Sequence, residues 1–115
     1  MREEIKAKTN GRCYYCGTIL PKRWHVDHIK PLVRVLGEPQ YPERDSFDNL
    51  VPACPPCNLY KGSSDLEEFR QLIENTITQL NRDITIFRHA KRFGLVKETG
   101  NKVKFYFESL EGENE

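Results

Sequence analysis

Two short cysteine pairs limit what this chain can fold into more than any other feature. Cys13-Tyr14-Tyr15-Cys16 is followed by Gly17, and Cys54-Pro55-Pro56-Cys57 comes after 37 intervening residues. Two residues between cysteines form a knuckle whose sulfurs converge on one ion. A glycine after the second cysteine relieves the turn that aims backbone N–H groups at the thiolates. Two such pairs read as one tetrahedral zinc site with four thiolate ligands. A redox role would require a βαβ context, and neither pair has one. A four-thiolate zinc has no open coordination position, so it holds the fold, and any chemistry needs a second centre.

The segment between the pairs supplies candidates for that centre. Trp24-His25-Val26-Asp27-His28-Ile29 reads as a short strand carrying a carboxylate and two imidazoles, with Pro31 ending the ladder. Polar groups on an apolar strand cost free energy unless they are paired or bind a metal. In a regular strand Asp27 and His28 point to opposite faces, so the strand must end or bulge if both serve one site. Residues 37–49 have loop composition, Leu50-Val51-Pro52-Ala53 reads as a second strand, and a helix begins near Pro55 and runs to about Lys61.

Outside this region the pattern is mainly helical. Residues 2–9 suggest a short helix ending at Asn10-Gly11. Ser64-Asp65-Leu66-Glu67 has the form of a capping box, and Leu66, Phe69, Ile73, Ile77 and Leu80 follow at helical spacing, predicting a helix over about 65–81. A further helix is expected near 84–93, stopping at Gly94. Lys102-Val103-Lys104-Phe105-Tyr106-Phe107 reads as a strand, paired with Leu95-Val96-Lys97 in a hairpin, and residues 109–115 as a frayed acidic tail. At 115 residues the chain suits a single domain, 1–115, with a core at about 12–62 and an extension at about 63–108. Hydrophobic content of 37% makes a lean core that a metal would staple. No apolar run approaches a membrane span and no leader pattern opens the chain, so a cytoplasmic protein with no membrane association is expected.

The combination Cys13-x2-Cys16, His25-x-Asp27-His28-Ile29, Asp48-Asn49-Leu50, Cys54-x2-Cys57-Asn58 and Lys61-Gly62 resembles the HNH endonuclease family. The fold implied is α+β: a small ββα-metal core, zinc-knuckle and treble-clef-like, here with added C-terminal helices and a short β-hairpin. By resemblance His28 is the general base. Asp27 and Asn58 hold a catalytic divalent metal, and Asn49 braces the loop and helps orient the base. The four cysteines match the structural zinc of a subset of members. His25 falls where the family varies, as an extra ligand, a phosphate contact or neither. The activity implied is metal-dependent hydrolysis of DNA phosphodiester bonds, by nicking or double-strand cleavage, leaving 5′-phosphate and 3′-hydroxyl ends.

The residue chemistry fits that activity independently. An imidazole titrating near neutrality suits activation of water. Carboxylate and amide oxygens are hard donors that favour Mg2+ or Mn2+ over zinc. The total charge is +1, yet Arg82 to Lys104 holds seven Lys or Arg against Asp83 and Glu98. Lys22, Arg23, Lys30, Arg34 and Lys61 near the site, and Arg88, Lys91, Arg92, Lys102 and Lys104 beyond it, are candidate phosphate contacts. Such contacts position DNA without reading its sequence. His89 beside the second cluster reads as a surface histidine. The competing reading is a non-catalytic zinc module that binds nucleic acid or a protein. Residues 63–115 are also compatible with a homodimer or with a protein partner that supplies specificity.

Overall fold

A computed structural model describes residues 1–113; Asn114 and Glu115, the end of the expected acidic tail, lie outside the described residues. The described residues divide into two compact units, one of residues 1–66 and 104–113 and the other of residues 67–103.

The first unit is built around a two-stranded antiparallel sheet. Helix α1, Arg2–Ala7, carries Glu3 and Glu4 in its first turn and Lys6 in its last, which complements the helix dipole, and buries Ile5. It pins both strands at their ends. Arg2 Nη2 donates to Trp24 O at 2.7 Å while its guanidinium lies 4.0 Å from the Trp24 ring, and Lys8 Nζ donates to Leu50 O at 2.6 Å. Strand β1, His25–His28, pairs with β4, Leu50–Ala53, so that Asp27 faces Val51 and His28 faces Leu50. Helix α2, Pro55–Lys61, follows at once, with Cys54 extended at its N-cap and Pro55 in the first turn, where a missing N–H costs nothing. Both strands and this helix fall where the sequence places them.

Three expectations are corrected. The first is the loop at 37–49. A two-residue hairpin reaches into it, pairing β2, Arg34–Val35, with β3, Glu38–Pro39. Its turn residues Leu36 and Gly37 both have positive φ, at 52° and 81°, as a right-twisted tight hairpin requires. Leucine is a poor signal for that conformation, which hid the turn.

The second correction concerns the C-terminus. The hairpin over 95–97 and 102–107 does not form: no strand lies among residues 95–105, and Tyr106–Glu113 is a helix, α6, in place of the last strand residues and the start of the frayed tail. The first cysteine knuckle decides this. Tyr106 N and Phe107 N donate to Tyr15 O and Tyr14 O at 2.9 and 3.1 Å, and Glu108 Oε1 accepts from Phe105 N at 3.0 Å, so donors that a helix start leaves unpaired are satisfied. Phe107 stacks on Tyr14 with centroids 4.3 Å apart, and Phe105 meets Tyr15 edge-on. Tertiary packing overrides the strand propensity of alternating aromatics. Gly17 has φ 79°, and a Cβ there would come 2.8 Å from Tyr106 Cδ1, so glycine serves both the turn and the docking of α6.

The third correction lies in the second unit. The helix expected over 65–81 is two, α3 at Leu66–Glu74 and α4 at Thr76–Asp83, separated at Asn75. The Thr76 hydroxyl donates back to Leu72 O at 3.3 Å, a competing bond that weakens a helix where Asn and Thr already have low propensity. Helix α3 starts at Leu66 rather than behind a Ser64 cap, and Glu67 pairs with Arg70 at 3.3 Å. Helix α5, Thr85–Arg92, ends before Gly94 at φ 73°, as expected.

Phe105 is 1% exposed and Phe93 is 78% exposed. Phe105→Ala should therefore cost about 3–5 kcal/mol in urea unfolding, and Phe93→Ala less than about 1 kcal/mol. Similar losses for the two would contradict the docking of the C-terminal segment on the first knuckle.

Candidate metal centres and active site

The four cysteine sulfurs lie within 4.8 Å of one another, as ligands of one ion do. Cys16 Sγ and Cys54 Sγ are 3.7 Å apart, so the cluster joins the two knuckles. Tyr14 N reinforces the join by donating to Pro52 O at 2.9 Å. As free thiols the group shares its protons. A hydrogen bond from Cys57 draws Cys13 down to about 4, and the Cys57 thiol is correspondingly pushed up, by that bond first and by burial second. A cation is the natural replacement for those protons, since thiolate is the ligating form.

The second cluster lies along β1. The strand ends at His28, the next rung being Ile29 N to Asn49 O at 3.0 Å. Asp27 and His28 nevertheless both line one open cleft of about 400 Å³, together with Pro31, Leu32, Val33, Arg34, Gly62 and Ser63. Asp27 is buried. The Tyr15 phenol donates to its Oδ2 at 2.5 Å, and Lys61 Nζ lies 3.2 Å from the same oxygen. Burial first, then the Asp27 charge and the hydrogen bond, push the Tyr15 phenol well above its ordinary value, so it remains a donor. Asp27 Oδ1 has no bond among the described residues, and no buried side-chain polar atom there lacks a partner, so Oδ1 retains some exposure.

Helix α2 reads the same strand face. Asn58 Nδ2 donates to His25 Nδ1 at 2.8 Å, leaving Asn58 Oδ1 without a bond, and one turn on Lys61 Nζ also donates to His28 O at 3.0 Å. His25 and Asp27 share a face by strand alternation, as Asn58 and Lys61 do by helical spacing. His28 Nε2 is 2.9 Å from Asp45 Oδ1. Asn49 spans the loop mouth: Nδ2 donates to Lys30 O and Arg44 O at 2.9 and 2.7 Å, and Oδ1 accepts from Lys30 N at 2.9 Å.

The basic candidates divide. Lys30 and Arg34 are exposed, as are Lys22 and Arg23. Lys61 is 1% exposed and turned onto Asp27, which corrects its reading as a phosphate contact: a buried ammonium is stable only where a carboxylate and carbonyl receive it. In the second unit Arg88 donates to Asn81 O, Lys91 pairs with Glu98 and Asn81, and Arg92 is exposed and meets His89 at 3.3 Å. Tyr15 and Asp45 are the site residues that sequence reasoning missed. Their side chains reach Asp27 and His28 across 12 and 17 residues, and no spacing rule reports such contacts.

A small α+β domain with a four-cysteine cluster and an Asp-His pair at the end of a strand defines a metal-binding class. Residues 13–64 match the family model for HNH endonuclease. No curated protein and no solved structure matched the chain. No helix among the described residues is long and apolar enough to cross a membrane.

The cysteine cluster should take up one Co2+ per chain with the absorption of a four-thiolate tetrahedral site. Cys54→Ser should weaken uptake and lower the thermal midpoint. Unchanged uptake in that variant would contradict the assignment of ligands.

Proposed function

We propose that this chain is a metal-dependent DNA endonuclease. One Zn2+ held by Cys13, Cys16, Cys54 and Cys57 fixes the fold, and Mg2+ or Mn2+ is held by Asp27 and Asn58. The observation that carries this reading is the pairing on one strand end. Asp27, with one unbonded carboxylate oxygen, and His28 line the same cleft, and Asn58, on the helix that packs against β1 and outside that cleft's lining, also has its amide oxygen unbonded. Carboxylate and amide oxygens match the preference of a hard divalent cation. A bound cation supplies charge neutralisation at the phosphate and at the leaving 3′ oxygen.

The protein groups do the rest. Nε2 of His28 faces the Asp45 carboxylate, which leaves Nδ1 as the ring nitrogen to take the proton of an attacking water. Asn49 holds the loop that carries Arg44 and Asp45 against the strand end, and Lys61 fixes the His28 carbonyl. Lys30 and Arg34 flank the site as phosphate contacts, with Arg88, Lys91 and Arg92 a second basic group. Their neutralising contacts would give a steep loss of affinity with salt.

Cleavage of supercoiled plasmid tests this reading. Wild type should nick or linearise DNA in Mg2+ or Mn2+. His28→Ala should be slower by at least about 100-fold with the fold and metal content intact. Asp45→Ala, which frees the imidazole without removing it, should be slower by about tenfold, a smaller loss because Asp45 is largely exposed. DNA binding without cleavage by wild type in any metal would favour the non-catalytic zinc module, and equal rates for wild type and His28→Ala would remove His28 as the base.

A further inference from the structure

The first cysteine knuckle contributes more than two sulfurs. Between Cys13 and Cys16, Tyr15 is 2% exposed and its phenol leaves the knuckle to end 2.5 Å from Asp27 Oδ2. Lys61 Nζ approaches that same oxygen at 3.2 Å from the other side of the sequence. A carboxylate gripped at one oxygen by a donor on each flank cannot rotate freely. Its other oxygen, Oδ1, carries no hydrogen bond among the described residues, and Asp27 lines the cleft.

We propose that Tyr15 is a positioning residue for the metal site. Together with Lys61 it holds Asp27 by Oδ2, so that Asp27 presents a divalent cation with Oδ1 alone. This rests on the reading of Asp27 as a metal ligand. A single fixed oxygen suits a small cation that demands near-octahedral geometry and keeps several waters, whereas a carboxylate free to turn can also chelate a larger cation through both oxygens. Groups that orient a ligand in this way commonly change metal affinity by tenfold or more when removed. The bond also ties the cysteine cluster to the catalytic cleft through one rigid side chain, because Tyr15 is held in turn by the edge-on rings of Tyr14 and Phe105.

Mn2+ binding to the zinc-loaded full chain, read from the loss of the free-ion electron paramagnetic resonance signal, tests the proposal without relying on cleavage. Tyr15→Phe removes the hydroxyl and keeps the ring. It should weaken Mn2+ binding roughly tenfold and reduce discrimination against Ca2+ in competition, with zinc content unchanged. Tyr14→Phe alters the same knuckle, where Tyr14 stacks on Phe107 rather than reaching Asp27, and should leave Mn2+ affinity at the wild-type value. Equal Mn2+ affinity and Ca2+ discrimination in wild type and Tyr15→Phe would overturn the proposal. If Asp27→Asn binds Mn2+ as wild type does, Asp27 is not a ligand, and the reading of the site fails with the inference. If Tyr15→Phe does not fold, a structure of wild type with Mn2+ decides. The ion on Oδ1 with the phenol still on Oδ2 supports the proposal, and the ion on Oδ2, or a displaced phenol, overturns it.

Discussion

Four sulfurs within 4.8 Å of one another tie together two stretches of chain that are 37 residues apart in sequence, and the position of nearly every site residue follows from that join. The first knuckle brings Tyr15 under the sheet and offers its carbonyls to the start of α6. The second launches α2, whose first turn contains Cys57 and whose inward face carries Asn58 and Lys61 against β1. Among the described residues the buried apolar set is small, and most of it is aromatic, a cysteine or adjacent to one. A core of this size gains little from area alone, so an ion binding the folded cluster and not the open chain would contribute directly to stability.

Buried charge is handled with comparable economy. Asp27 is an expensive group to remove from water, and Tyr15 and Lys61 compensate it at one oxygen only. Deleting either partner leaves a charge with incomplete pairing, so these contacts contribute to stability as well as to carboxylate orientation. His28 sits one residue further on, partly exposed, where the strand has ended and Asp45 can reach it.

The legible parts of this chain were those governed by local rules. Cysteine spacing located the cluster, strand composition located β1 and β4, and Pro55 after Cys54 located the start of α2. The HNH signature on Asp27, His28, Asn49 and Asn58 pointed to residues 12–62, close to the 13–64 of the family match. Illegible parts depended on partners distant in sequence. Phe105 and Phe107 form part of a helix start because Tyr14 and Tyr15 wait for them, and nothing in Lys104–Phe107 itself reports that. Leu36 adopts positive φ in a turn whose sequence advertises only Gly37. Lys61 looked like a surface cation because buried lysines are rare, and only the facing Asp27 explains it.

In the function proposed, two metals divide the work, one holding the fold and the other serving the cleft. The most direct test follows zinc content and plasmid cleavage in the same sample through a titration with EDTA and then with added Mg2+. Cleavage should disappear and return with Mg2+ while zinc remains at about one per chain, since a closed four-thiolate site releases its ion far less readily than an oxygen-donor site. Cleavage that falls and recovers only with zinc, or that persists after all exchangeable divalent metal is removed, would contradict that division.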